Sequence, residues 1–362
     1  MHDNILDVRK TSSRDSTPKK PIRILSIDGG GIRGLIPAMV LADIEKRTGK
    51  KIYELFDLIA GTSTGGLMAL ALCIPDGNGG VKHLAKDLIK FYEEDGKRVF
   101  SRSVWRKIRA VGNLADGKYS AIPMEESLKS YFGDLRLSQA LTDVMISAYE
   151  MERRLPLFFK RNVARQNAQF DFHMWQVVRA TTAAPTYFEP ARLQIDGPGD
   201  YYALIDGAVF AFNPALCAFF EARQRFPDND EFLVVSLGTG ETTGRLAYDE
   251  AQRWGALRWA QHVFGVMCDG GSDMVDHQLS SLLPTTEYGR RQYYRFQARL
   301  ETGNFDMDNA SHANIRDLKL LAEHMIHNNR HAIRSLCEQL VEYAPESETA
   351  QSAKVLDAHH VL

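Results

Sequence analysis

Phe56-Asp57-Leu58-Ile59-Ala60-Gly61-Thr62-Ser63-Thr64-Gly65-Gly66-Leu67-Met68-Ala69-Leu70 joins an apolar β-like run to a helix of small apolar residues through a serine bracketed by glycines. G-x-S-x-G at a strand-to-helix turn is the signature of a nucleophile elbow. The turn is tight, and glycine on either side lets neighbouring backbone pass where a Cβ would clash. Ser63 is thereby lifted out at the end of a strand, at the positive end of the following helix. Taken alone, the pentapeptide also fits a Gly/Ser-rich loop before a buried helix, so its surroundings decide.

Upstream, residues 22–27 read as a strand running into Asp28-Gly29-Gly30-Gly31-Ile32-Arg33-Gly34. A helix follows over 35–48, with Pro37 tolerated in its first turn and Gly49 as its stop. Gly29 to Gly34 satisfies G-x-G-x-x-G in the Rossmann position, which would make the chain a dinucleotide-binding oxidoreductase. That fingerprint wants an acid after the second strand, where this chain has Ala60-Gly61-Thr62. Glycine amides at a helix N-terminus suit developing negative charge equally well, so Gly29, Gly30 and Gly31 are candidate oxyanion-hole donors. Arg33 adds a positive charge beside them, or is an ordinary surface residue at a helix start.

Downstream, residues 201–205 read as a strand entering Asp206-Gly207-Ala208. Ser63 and Asp206 both follow strand C-termini, which in a parallel sheet lie along one edge. A serine hydroxyl is a weak nucleophile until a positioned base takes its proton. Asp206 is the candidate base, acting without an imidazole; a turn aspartate is the alternative. A triad through His262, His277 or His312 fits the chain order. However, α/β-hydrolases place several strands before their elbow, and here only one precedes it.

Further strands are expected over 144–148, 156–160 and 232–237. Helices are expected over 81–94, 175–182, 214–225, 249–268, 272–283 and 315–343. Strands alternating with helices predict an α/β fold with a mostly parallel central sheet covered on both faces. Residues 1–21 are polar and read as a flexible lead-in. Residues 22–343 read as a single domain, with its motifs in 22–240 and a helical part over 241–343; the tail 344–362 is expected to be disordered.

With 362 residues, 44% of them hydrophobic, the chain has ample material for a core. A net charge of −2 argues against nucleic-acid binding driven by overall charge. The four cysteines show no metal-like spacing. Cys73 and Cys217 lie in apolar stretches, as expected of buried free thiols in a reducing compartment. The lead-in has no apolar secretory core, and the longest apolar stretch is too short and polar to span a bilayer. A cytoplasmic protein with only peripheral membrane contact is therefore expected.

Asp28-Gly29-Gly30-Gly31-Ile32-Arg33-Gly34, Gly61-Thr62-Ser63-Thr64-Gly65 and Asp206-Gly207-Ala208, in this order, resemble the motifs of the patatin-like phospholipases. Asn213-Pro214 and Val234-Val235-Ser236-Leu237-Gly238-Thr239-Gly240 extend the resemblance over about residues 22 to 240. It implies a three-layer α/β/α fold with extra C-terminal helices. It further implies Ser63 as nucleophile, Asp206 as proton acceptor and the Gly29, Gly30 and Gly31 amides as oxyanion hole. Asp28, Arg33, Gly34, Gly61, Gly65 and Gly207 would support that site. The implied reaction is hydrolysis of acyl esters in membrane phospholipids, with no metal and no cofactor.

The compact size and missing secretion signal look like the bacterial patatin phospholipases of anti-phage signalling. Those are activated by a cyclic dinucleotide, chiefly cyclic GMP-AMP (cGAMP), and act at the inner membrane; an unregulated lipase is the alternative. Residues 97–118 are rich in Lys and Arg interleaved with aromatics, and there Arg98, Arg102, Trp105, Arg106 and Arg109 are candidate effector contacts. They equally suit anionic headgroups, or form a solvated basic face. Arg290, Arg291, Arg295 and Arg299, near Tyr293 and Tyr294, form a second such stretch. Assembly is left open, a homo-oligomer included.

Overall fold

In the computed structural model, which describes residues 20–96, 122–185, 187–195, 199–242, 244–300 and 306–344, the apolar run Ile22–Ile27 forms the central strand β1. Helix α1 (Leu35–Thr48) follows and closes on left-handed Gly49, as its sequence predicts. After α2 (Ile52–Leu55) come β2 (Leu58–Gly61) and α3 (Thr64–Ala71), then α4 (Ala85–Glu94) and α5 (Ile122–Phe132). The middle of the chain gives β3 (Asp143–Glu150), β4 (Leu155–Lys160), α6 (Arg161–Gln166), α7 (Met174–Thr181), β5 (Ala191–Gln194) and β6 (Tyr201–Asp206). Next are α8 (Ala208–Ala211), α9 (Ala215–Arg225), β7 (Phe232–Leu237), β8 (Glu241–Thr242), α10 (Tyr248–Ala251) and α11 (Ala256–Leu282). Strands β9 (Tyr293–Phe296) and β10 (Arg299–Leu300) precede α12 (His312–Asn328) and α13 (Arg330–Tyr343).

The main sheet runs β5-β6-β3-β2-β1-β7-β9, with β4 added on β3. The pairs β3–β2, β2–β1, β1–β7 and β7–β9 are parallel, whereas β4 and β6 run antiparallel to β3. Every residue of β2 and β7 is buried, the mark of strands covered on both faces. Strand alternation sorts side chains to opposite sides. Leu25, Ile27, Ile59, Val235 and Leu237 pack with α1, α3, α7, α12 and α13. Ile24, Leu58, Ala60 and Val234 pack with α9 and α11. The result is the three-layer α/β/α arrangement.

Three departures from the expected helices each have a local reason. The helices expected over 249–268 and 272–283 are one from Ala256 to Leu282, with Tyr248–Ala251 a separate short helix, because Cys268, Ser272 and Leu279 keep a single buried face across Gly270-Gly271. The packing outweighs a glycine penalty of about 1 kcal/mol each. The helix expected over 315–343 is instead two, divided at Asn329, whose side-chain amide turns back to donate to the Met325 carbonyl. The helix expected from 81 begins at Ala85, where the Asp87 carboxylate accepts from the Leu84 amide.

Strand β9 carries Arg295, and the structure corrects its reading as an effector contact. Its guanidinium is buried and donates to Asp28 Oδ2 (2.7 Å), Ser236 Oγ on β7 (2.8 Å) and Ser272 Oγ on α11 (2.9 Å). Asp28, at the end of β1, has no exposed surface. One cation thus joins two strands, a helix and the start of the glycine loop. Replacing Arg295 with Met strands a buried carboxylate, so thermal or denaturant unfolding should show a loss of about 3–5 kcal/mol. Adding Asp28→Asn should recover part of that loss; no loss in Arg295→Met overturns this account.

Candidate active site

Ser63 sits between β2 and α3 at φ 55°, ψ −122°, a conformation costing a non-glycine residue on the order of 1–3 kcal/mol. The surroundings impose it. A Cβ on Gly61 would lie 2.2 Å from the Gly65 carbonyl oxygen, and one on Gly65 would lie 2.2 Å from the Ile27 carbonyl oxygen. Helix α3 is therefore pressed against the ends of β1 and β2. The Ser63 amide donates to Thr181 Oγ1 on α7 at 2.8 Å, which holds the turn from the far side.

Asp206 reaches this serine by a route different from the one the sequence suggests. Along β3, β4 occupies one edge over Met145 to Glu150. On the opposite edge, β2 ends with Gly61 opposite Ile146, and β6 ends with Asp206 opposite Ala148. The two strands run in opposed directions and meet end to end, so their last residues face each other across Ser147. Asp206 is thus not on a neighbouring parallel strand; it arrives head-on. Its side chain is buried, accepts from the Ala208 amide at 2.8 Å and lies by the Ser63 hydroxyl, which favours its charged form. Burial disfavours its charge more than these two donors favour it, and its pKa is pushed up to about 7.

The glycine loop divides into used and unused donors. The Gly29 amide donates to the Phe212 carbonyl at 3.0 Å. The Gly30 and Gly31 amides make no hydrogen bond with another described residue. Gly30 has φ 153°, and a Cβ there would come within 2.2 Å of Thr239 Oγ1; Gly31 has φ 58° and lies against the Met307 carbonyl. Gly30, Gly31, Ser63 and Asp206 line one cleft whose other walls include Met124, Tyr187, Phe188, Phe212, Phe264 and Met307. Three of the four groups are main-chain donors or a hydroxyl, and the walls are mostly apolar, with Thr182 and Asp308 among them.

The remaining expected residues are placed as follows. Gly34 faces Tyr92 and Thr64, and Gly207 lies flat on Ser147. Arg33 is buried rather than on the surface, and desolvation lowers its pKa against the opposing pull of Asp269. His262 packs against the Trp254 ring at a tilt of 41°, His277 and His312 are exposed, and none of the three lines the cleft. Arg290 pairs with Glu342, Arg299 with Glu241, and Arg291 donates to the Tyr293 carbonyl. Arg98, Arg102, Trp105, Arg106 and Arg109 lie outside the described residues. All four cysteines are free thiols; Cys73 is buried and Cys217 half-buried. Sequence reasoning missed Thr181 and Ser147. For Ser147 a signal existed, since a hydroxyl in the middle of Val144-Met145-Ile146-Ser147-Ala148 asks for a buried partner.

Known proteins resemble this chain over most of its length. Residues 25–219 match the family model of the patatin-like phospholipases. Among curated proteins, Patatin-2-Kuras 3 of Solanum tuberosum is 32% identical over 342 residues, covering 87% of this chain and 86% of its own. From the same plant, Probable inactive patatin-3-Kuras 1 is 31% identical over 341 residues, covering 87% and 89%. Overall identity therefore does not by itself separate active from inactive members, and the site residues must. Among solved structures, human GIVD cytosolic phospholipase A2 aligns at 12% identity and a TM-score of 0.44, over 90% of this chain and 61% of that one.

The Asp206 carboxyl keeps its proton in the fold up to about pH 7, against an ordinary value of 3.8. Between those values the native state binds more protons than the unfolded chain, so this group's contribution to stability falls as pH rises. Asp206→Asn removes the dependence. Its melting temperature should therefore gain on that of the wild type between pH 4 and pH 8; an unchanged difference across that range overturns the assignment.

Proposed function

The chain belongs to the patatin-like phospholipase family, and on that premise we propose that it hydrolyses acyl esters of membrane phospholipids through a Ser63–Asp206 dyad. Asp206 accepts the Ser63 proton as Oγ attacks the ester carbonyl. The oxyanion that forms takes hydrogen bonds from the Gly30 and Gly31 amides, each such donor being worth on the order of 10²–10³ in rate. Collapse of the tetrahedral adduct breaks the bond to the leaving alcohol, which takes the proton back from Asp206. Water, deprotonated by Asp206, then cleaves the acyl-enzyme and releases the fatty acid. The observation that carries this reading is the strained serine sharing one cleft with a buried carboxylate that no described cation pairs.

A bilayer-borne substrate is supported by the surface beside the cleft. Helix α11 contributes Phe264 to the cleft wall and exposes Trp259, Val263, Val266, Met267 and Met274. These fall on one helical face, which suits contact with acyl chains at an interface. No described helix is long and apolar enough to cross a membrane. Regulation by a cyclic dinucleotide such as cGAMP, in antiviral defence at the inner membrane, is proposed on the general likeness to the anti-phage patatin phospholipases, with no motif behind it. The assay below, run with and without cGAMP, tests it.

Ser63→Ala and Asp206→Asn should each abolish fatty-acid release from phospholipid vesicles, and full activity in the serine variant overturns the mechanism. The wild-type rate should climb with pH through a limb near 7, because the base must first lose its proton. Val263→Glu combined with Met267→Glu should slow vesicle hydrolysis about tenfold while sparing a soluble short-chain ester. Equal effects on both substrates would remove the role of α11 in docking.

A further inference from the structure

The nucleophile and the base come from arms 143 residues apart in sequence (206 minus 63), and something must hold the two arms in register. Ser147 occupies the one position of β3 between the partner of Gly61 and the partner of Asp206. It is fully buried, as is Thr62, the residue before the nucleophile. Thr62 Oγ1 donates to the Ala211 carbonyl on α8 at 2.6 Å and lies 2.6 Å from Ser147 Oγ. With the Thr62 proton committed to Ala211, Ser147 is the donor in the second bond. On the other arm, Gly207 rests on Ser147 so closely that a Cβ there would lie 2.2 Å from its hydroxyl. The next carbonyl, that of Phe212, accepts from the Gly29 amide. Consecutive carbonyls after the base are thus bonded to the elbow and to the oxyanion loop.

We propose that Thr62 and Ser147 are positioning residues whose hydroxyls set the approach of Ser63 to Asp206. This rests on the dyad reading above. Neither hydroxyl touches substrate; both act by fixing α8, and with it the carboxylate, against the elbow. Misplacing reacting groups by about 1 Å can cost on the order of 100-fold. The Ser63 hydroxyl favours the charged form of Asp206, so loosening its approach moves the base toward the protonated form.

Thr62→Val preserves shape and removes both bonds, whereas Thr62→Ser keeps the hydroxyl. The test measures kcat, KM and the pH profile on phospholipid vesicles, together with the rate at which a fluorophosphonate labels Ser63. Thr62→Val should lower kcat and labelling about 10- to 100-fold with KM within about twofold, and should shift the alkaline-rising limb upward. Thr62→Ser should restore most of both. Should Thr62→Val fail to fold, Ser147→Ala retains the Thr62–Ala211 bond and should move the limb in the same direction with a smaller loss of kcat. Wild-type rates and an unmoved limb in the folded variant overturn the proposal, as do equal losses in Thr62→Val and Thr62→Ser. A wild type that neither hydrolyses phospholipid nor takes the label has a different meaning: the dyad itself falls, and this inference falls with it.

Discussion

Two carboxylates removed from water set the terms for the rest of the molecule. A buried charge is strongly unfavourable unless it is paired or neutralised. At Asp28 the fold supplies a pair: Arg295 meets it at 2.7 Å and is itself held by two serine hydroxyls. At Asp206 the described residues supply the Ala208 amide and the neighbouring Ser63 hydroxyl, and no cation. The first carboxylate is locked as a cation's partner in a structural joint. The second is left close to the point where it can hold or release a proton near neutrality, which is what proton transfer from an alcohol asks of a base. Position in the sheet, rather than residue type, separates the two roles.

Steric exclusion does the corresponding work for the nucleophile. Neither Gly61 nor Gly65 has room for a single additional carbon, because α3 lies directly on the ends of β1 and β2. That closeness leaves Ser63 a backbone conformation that side-chain-bearing residues rarely adopt. It also brings the glycine loop, the elbow and Asp206 into one cleft with mostly apolar walls, a setting in which hydrogen bonds to charge are stronger than in water.

Much of this was legible in the chain. The strand over Ile22–Ile27, the helix Leu35–Thr48 and the strand Phe232–Leu237 fall where hydrophobic runs and their glycine stops place them. The three motifs, read in order, led to Ser63 and Asp206 because local turn chemistry is written in adjacent residues. What could not be read was long-range. Nothing in Tyr201–Asp206 announces that it runs antiparallel to β3 and meets β2 end to end. Nor does Arg295 differ on paper from its basic neighbours, although it alone of the four runs inward to Asp28. Gly270-Gly271 reads as a break, yet the buried face of α11 carries the helix through it. The short strands Ala191–Gln194 and Tyr293–Phe296 are shaped by pairing rather than by pattern.

The end-to-end meeting of β2 and β6 also bears on how the chain acquires its chemistry while it is being made. The elbow, the glycine loop and β3 are complete by residue 150, but the carboxylate belongs to the last position of a strand that must find β3 from some fifty residues further along. Pairings of such sequence separation form late relative to local structure. On the proposed mechanism, a nascent or truncated chain ending before β6 holds a serine with no proton acceptor and cleaves no ester until the sheet is closed. For a protein whose proposed substrate is the membrane around it, activity arrives only with the finished fold.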